Sequence, residues 1–143
     1  HISNFNDMKG KSLGVQNAST GATALDEYPK LLKDKIKNHK AVLYDTFPDA
    51  FIDLNAGRIQ GILMDEVYAD YYIKHQKDSS AYRVYSDPQM PQDYFAVGMR
   101  KGDKTLKKKV NEGLARLQKN GELRQINKKW FGVSSNYLGP VKK

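Results

Sequence analysis

Cysteine is absent from the 143 residues, which excludes disulfides, thiolate metal sites and a cysteine nucleophile. No run approaches the roughly 18 consecutive apolar residues that a membrane-crossing helix needs. No secretory signal is visible, and His1-Ile2-Ser3 reads as a start from which the native beginning is missing. Histidine is scarce: His1, His39 and His75 lack the spacing of a metal site. The hydrolase routes that need a serine elbow or paired catalytic carboxylates have no support. No metal, cofactor or enzymatic activity is therefore expected. What remains is an ordinary apolar share of 39% with 10% aromatics, enough for a packed core and too much for a disordered chain.

The net charge of +8 is unevenly spread. Residues 1–100 hold 12 Lys and Arg against 13 Asp and Glu, whereas residues 101–143 hold 12 against 3. The basic surplus belongs to the last third, where Lys104, Lys107, Lys108, Lys119, Lys128 and Lys129 fall on the polar sides of two amphipathic segments. Solvated surface charge explains most of this without nucleic acid, and a basic polyanion-binding module stays open as an alternative.

Short apolar strands alternate with amphipathic helices. Strands are predicted over 12–16, 40–44, 59–64, 82–85 and 94–99, the third apolar nearly throughout and therefore buried on both faces. A helix is predicted from Thr20 to Lys35, interrupted by Pro29, and another opens at a capping box of Thr46 and Asp49 and stops at Gly57. Glu66 to Lys74 forms a third. Two more carry the stripes Leu106–Val110–Leu114–Leu117 and Leu123–Ile126–Trp130, broken at Gly121. The tail 133–143 has no periodicity. This alternation means an α/β architecture with a mainly parallel sheet.

In such sheets ligands bind beyond the carboxyl ends of the strands. Two ends stand out. Asn17-Ala18-Ser19-Thr20-Gly21 offers hydroxyls and backbone amides at the start of a helix, which suits an anion, or simply an N-cap at Ser19 or Thr20. Asp65 follows a buried strand and suits an ammonium, or again a cap. An anion site beside a carboxylate matches a zwitterion such as a free amino acid. Tyr68 and Tyr72, four apart on one helix, read as packing residues.

Three ordered segments carry a family resemblance. FNDMKGKSLGVQNASTGAT, FIDLNAGRIQGILMDEVYADYYI and DYFAVGMRKGDKTLKKKVNEGLARLQKNGELRQINKKWFG are similar to the entry, the central helix–strand–helix and the closing signature of the family-3 (polar amino acid) solute-binding proteins of ATP-driven importers. The resemblance spans 5–132 and implies a type II periplasmic-binding-protein-like fold of two α/β lobes. It places 4–95 in the second, inserted lobe, 96–100 in a hinge strand and 101–143 in C-terminal helices of the first lobe, whose N-terminal part is absent. It implies that Thr20, with Ser19 and the turn at Ala18, binds an α-carboxylate and that Asp65 binds an α-ammonium. Ala18 stands where the family usually has glycine, and Gln60 where aspartate is frequent. The implied protein is extracytoplasmic, as a periplasmic or lipid-anchored binding component that delivers a polar or charged L-amino acid to a membrane permease. A sensor module and a dehydratase-like enzyme on the same fold are the alternatives. The two apolar stripes, deprived of the first lobe's sheet, lead to the expectation of a homo-oligomer, formed by exchange of residues 101–132.

Overall fold

A computed structural model describes residues 2–91 and 94–132. Leu13–Gln16 form strand β1, Val42–Tyr44 strand β2 and Gly61–Leu63 strand β3. The order is β2-β1-β3, and both pairings are parallel, with Gln16 opposite Tyr44 and Val15 opposite Leu63. Parallel neighbours need crossovers that return the chain to the same end. Helix α1 (Thr20–Glu27) serves β1 to β2, α2 (Phe47–Asn55) serves β2 to β3, and α3 (Glu66–Lys74) leaves β3. The α/β class with a mainly parallel sheet expected from the sequence is the one observed.

The chain divides into two compact units, 1–69 with 77–91 and 70–76 with 92–143. The first has a true core. Met8, Leu13, Val15, Leu25, Leu32 and Ile36 form one buried cluster, and Ala50, Phe51 and Ile59 are also buried. Phe51 meets Tyr82 edge to face, with centroids 5.9 Å apart. Thr46 caps α2 by accepting the Asp49 N–H at 3.3 Å, and its hydroxyl donates to the Asp49 carboxylate at 2.6 Å. Gln60 shows what an amide does where the resembling family often has aspartate. Its Oε1 accepts the Ser12 N–H at 3.1 Å, and its Nε2 donates to the Gly57 carbonyl at 2.9 Å, a donor role closed to a carboxylate.

Several expectations are corrected. The first helix ends at Glu27 instead of Lys35, because Pro29 lacks an N–H and forces Tyr28 out of helical geometry, at φ −121° and ψ 57°. Residues 28–35 continue as turns that still bury Leu32. β3 is half-buried and not closed on both faces, since β1 is its one neighbour among the described strands. Residues 82–85 and 94–99, both read as strands, join no ladder among the described residues. Their large side chains are open, Phe95 at 79% and Tyr94 at 60%, so apolar content alone did not make them strands. The hinge segment 96–100 is thus not a described strand.

In the second unit α4 (Lys104–Lys119) is capped by Asp103, whose carboxylate accepts the Leu106 N–H at 3.0 Å. Gly121, at φ +82°, makes the break that separates α4 from α5 (Glu122–Phe131). Lys74 Nζ donates to the carbonyls of Lys128 and Lys129 and so caps the end of α5. Val110, Leu114, Leu117 and Leu123 are half-buried, whereas Leu106, Ile126 and Trp130 are 43–47% exposed. The tail 133–143 lies outside the described residues.

Two outcomes follow from the packing of β1. A Cβ on Gly14 would stand 2.7 Å from Ile59 Cδ1 and 2.9 Å from Tyr44 Cε2. Ile59 is buried and the Tyr44 hydroxyl is held by Asp53 at 2.7 Å, so neither yields freely. Gly14→Ala should lower stability by about 1–3 kcal/mol in urea denaturation, the usual effect of overpacking.

The second concerns pH. Arg58, donating at 2.7 Å, and then Tyr44 hold the Asp53 carboxyl below its ordinary range. Desolvation, and then the Asp53 acceptor, push the Tyr44 phenol up to about 12. The depressed Asp53 value stabilises the fold above a pH of about 4, and this is lost as pH falls through the folded value. The raised Tyr44 value stabilises below about pH 10 and is lost between about 10 and 12. Denaturation midpoints should therefore decline more steeply above pH 10 in the parent chain than in Tyr44→Phe. Equal slopes would show that the phenol does not contribute.

Candidate functional site at the carboxyl edge of the sheet

Because all three strands run the same way, every helix that follows them starts at one edge. From β1 the chain turns through α1 to β2 on one side; from β2 it returns past β1 to β3 on the other. Connections that diverge in this way leave a crevice between β1 and β3, the place where open α/β sheets bind ligands. Asn17 and Asp65 each lie two residues beyond the paired Val15 and Leu63, so the two strand ends singled out in the sequence are neighbours.

The β1–α1 turn is closely tied. Asn17 N–H donates to Tyr44 O at 2.8 Å, Gln16 Nε2 donates to Asp45 O at 3.0 Å, and Ser19 N–H donates to Gln16 O at 3.3 Å. Ala18 sits at φ +55°, a left-handed conformation that costs an L residue roughly 1–2 kcal/mol and that glycine adopts freely. Ser19 is the N-cap, and its Oγ accepts the Ala22 N–H at 3.1 Å. The hydroxyl proton of Ser19 remains available to an acceptor. Thr20, the first helical residue, is exposed. The N–H groups of Thr20 and Gly21 find no acceptor among the described residues, as first-turn amides do not. Two open amides and the positive end of an eight-residue helix favour an anion here.

Asp65 stands at the N-cap position of α3, where its carbonyl accepts the Ala69 N–H at 3.0 Å. Its half-buried carboxylate makes no hydrogen bond or ion pair among the described residues, so it is not spent on capping. The adjacent Glu66 carboxylate, by contrast, accepts the Ser86 hydroxyl at 2.7 Å. Tyr68, one turn into α3, packs on Phe47 at the start of α2, with centroids 4.9 Å apart. It behaves as the packing residue expected from its spacing.

Sequence reasoning placed Gly21 in this turn but gave it no role of its own. A Cβ there would stand 3.0 Å from the Leu63 carbonyl oxygen, so the start of α1 rests directly on the end of β3. A glycine in the second position of a helix, where it weakens helicity, was the available signal. Gly10-Lys11-Ser12-Leu13-Gly14 has the spacing of a nucleophile elbow, but Ser12 precedes β1 and does not stand at a strand-to-helix turn. Among the described residues no group of His, Asp and Glu could hold a metal ion, and no helix is long and apolar enough to cross a membrane.

Known proteins resemble this chain in sequence and in fold. The chain is 31% identical over 128 residues to ABC transporter arginine-binding protein 1 of Escherichia coli (strain K12), an alignment that takes in 89% of this chain and 50% of that protein. It is 31% identical over 132 residues to the L-cystine-binding protein TcyJ of the same organism, covering 92% of this chain and 46% of that one. Among solved structures, a polar amino acid ABC uptake transporter substrate-binding protein from Streptococcus thermophilus is 48% identical, with a TM-score of 0.68 over 93% of this chain and 50% of that chain. An ABC uptake transporter substrate-binding protein from Streptococcus pneumoniae with bound histidine is 41% identical, with a TM-score of 0.77 over 93% and 54%. The chain spans about half the length of the curated relatives it matches. The profile of the bacterial extracellular solute-binding proteins, family 3, matches residues 7–133, and to that family this chain belongs.

Proposed function

We propose that the chain forms the amino-acid-binding part of an ABC-type uptake system, capturing a polar or charged L-amino acid without catalysing a reaction. The observation that carries the reading is the adjacency of two opposite poles at the ends of β1 and β3. The Thr20 and Gly21 amides, the Ser19 and Thr20 hydroxyls and the turn at Ala18 hold the α-carboxylate. The unpartnered Asp65 carboxylate holds the α-ammonium. Opposite charges at fixed separation select zwitterions, and closure of a second lobe over the ligand would desolvate both pairs. The family relationship supports an extracytoplasmic setting and delivery to a membrane permease. The half-exposed Leu106, Ile126 and Trp130 are consistent with association through residues 101–132.

Two measurements test this. A chain holding one side of a two-lobed cleft makes only part of the ligand's contacts, so it should bind free L-amino acids with a Kd in the millimolar range or weaker, about −4 kcal/mol or less favourable. In an amide chemical-shift titration the shifts should be confined to residues 17–22 and 64–67. Micromolar affinity would show that no second lobe is needed.

The sharper test is Asp65→Asn in a two-lobed protein carrying this segment. Affinity should fall by about 2–5 kcal/mol, the effect of unpairing a desolvated charge, with thermal stability little changed. Unaltered affinity in calorimetry would return Asp65 to an ordinary helix-start residue.

A further inference from the structure

The second compact unit carries a charge that amino-acid capture does not use. Residues 100–132 contain 11 Lys and Arg against Asp103, Glu112 and Glu122. Among the described residues two ion pairs bind any of those bases, Arg100–Asp103 at 3.8 Å and Lys108–Glu112 at 3.9 Å. Both are long and exposed, and they neutralise little. The remaining nine basic side chains are exposed and have no carboxylate partner among the described residues.

Their placement is one-sided. With about 100° per residue, five of the six bases of α4, Lys104, Lys108, Lys109, Arg116 and Lys119, fall within an arc of about 140° that also holds Glu112, while Lys107 lies outside it beside Leu114. Leu106, Val110, Leu114 and Leu117 occupy the opposite side. Lys101 precedes the helix, and on α5 Arg124 and Lys128 lie opposite Leu123, Ile126 and Trp130, while Lys129 stands over the Trp130 ring at 5.4 Å. The first unit, residues 1–69 and 77–91, holds 10 basic against 11 acidic residues and has no comparable surplus.

We infer that the basic face of α4 and α5 is a docking surface for a membrane leaflet rich in anionic phospholipid. Charge complementarity selects an anionic occupant. A cluster of this many Lys and Arg is what an anionic leaflet attracts electrostatically. Among the described residues of α4 and α5 the exposed aromatic is Trp130, under Lys129 at 5.4 Å, and one ring falls short of the interleaved stacking platform that single-stranded nucleic acid uses. The family's membrane-bound import systems put such a leaflet within reach of the protein. Adsorption there would hold the second unit at the lipid surface independently of whether the cleft is filled.

Co-sedimentation of the full 143-residue chain with vesicles of 30% phosphatidylglycerol in phosphatidylcholine, at 50 mM NaCl, tests this. At least tenfold tighter binding than to pure phosphatidylcholine is expected, falling at least tenfold at 500 mM NaCl. The triple variant Lys104→Glu/Lys108→Glu/Lys109→Glu should lose at least tenfold. The equally charged triple Lys30→Glu/Lys37→Glu/Lys40→Glu, in the first unit, should lose less than threefold, with helix content of both checked by circular dichroism. Equal loss in the two triples would make net charge the cause and overturn the assigned face. Equal binding to both vesicles, or binding that survives 500 mM salt through the apolar stripe, would overturn the inference. So would tighter binding to a 20-mer single-stranded DNA than to the anionic vesicles at 150 mM NaCl.

Discussion

The structure of the first unit depends on parallel pairing of β1 with strands on both sides. Parallel neighbours place every strand's carboxyl end at one edge and force a helix into each crossover. Three helix starts therefore gather where the strands end, and their open amides and cap positions gather with them. A central strand in such a sheet must be apolar and slim. Leu13 and Val15 supply the apolar content, and Gly14 leaves the room into which Ile59 and the Tyr44 ring fit. Tyr44 in turn anchors Asp53 of α2, whose other oxygen takes Arg58. One strand thus organises the sheet, the position of α2 and the edge that carries the poles.

Much of this was legible in the chain. Short apolar runs located β1, β2 and β3, the Thr46–Asp49 pair located the start of α2, and Gly121 located the break between α4 and α5. These signals are local, and local geometry decides them. Ser19 and Asp65 were equally visible as strand-end polar residues, but either could have been a plain cap. The structure separates them: the Ser19 oxygen is engaged in capping while the Asp65 carboxylate is left open. What could not be read was long-range. Whether 82–85 and 94–99 become strands depends on a partner backbone, and an apolar run does not encode its partner. The contact of Gly21 with the end of β3 depends on register between segments more than forty residues apart.

The two units differ in what holds them. The first buries apolar side chains on both sides of a central strand. The second is two amphipathic helices whose described side chains include a single buried residue, Asn127, with an Nδ2 that finds no acceptor among the described residues. A buried amide left unpaired costs on the order of 1–3 kcal/mol. The stability of the second unit therefore rests on the α4–α5 contact, on caps such as Asp103 and on the Lys74 tether to the end of α5.

Gly21 has a consequence for how the site would tell one amino compound from another. Because the start of α1 rests on the Leu63 carbonyl, the separation between the helix amides and the Asp65 backbone is set by main chain against main chain, with no side chain able to relax between them. On the proposed reading, the site acts as a ruler for the single carbon that joins amine to carboxylate. A homologated compound with its amine on the β or γ carbon would satisfy one pole and miss the other, whatever its side chain. Recognition of the α-amino acid backbone is then a property of the fold, and the choice among side chains is free to vary without disturbing it.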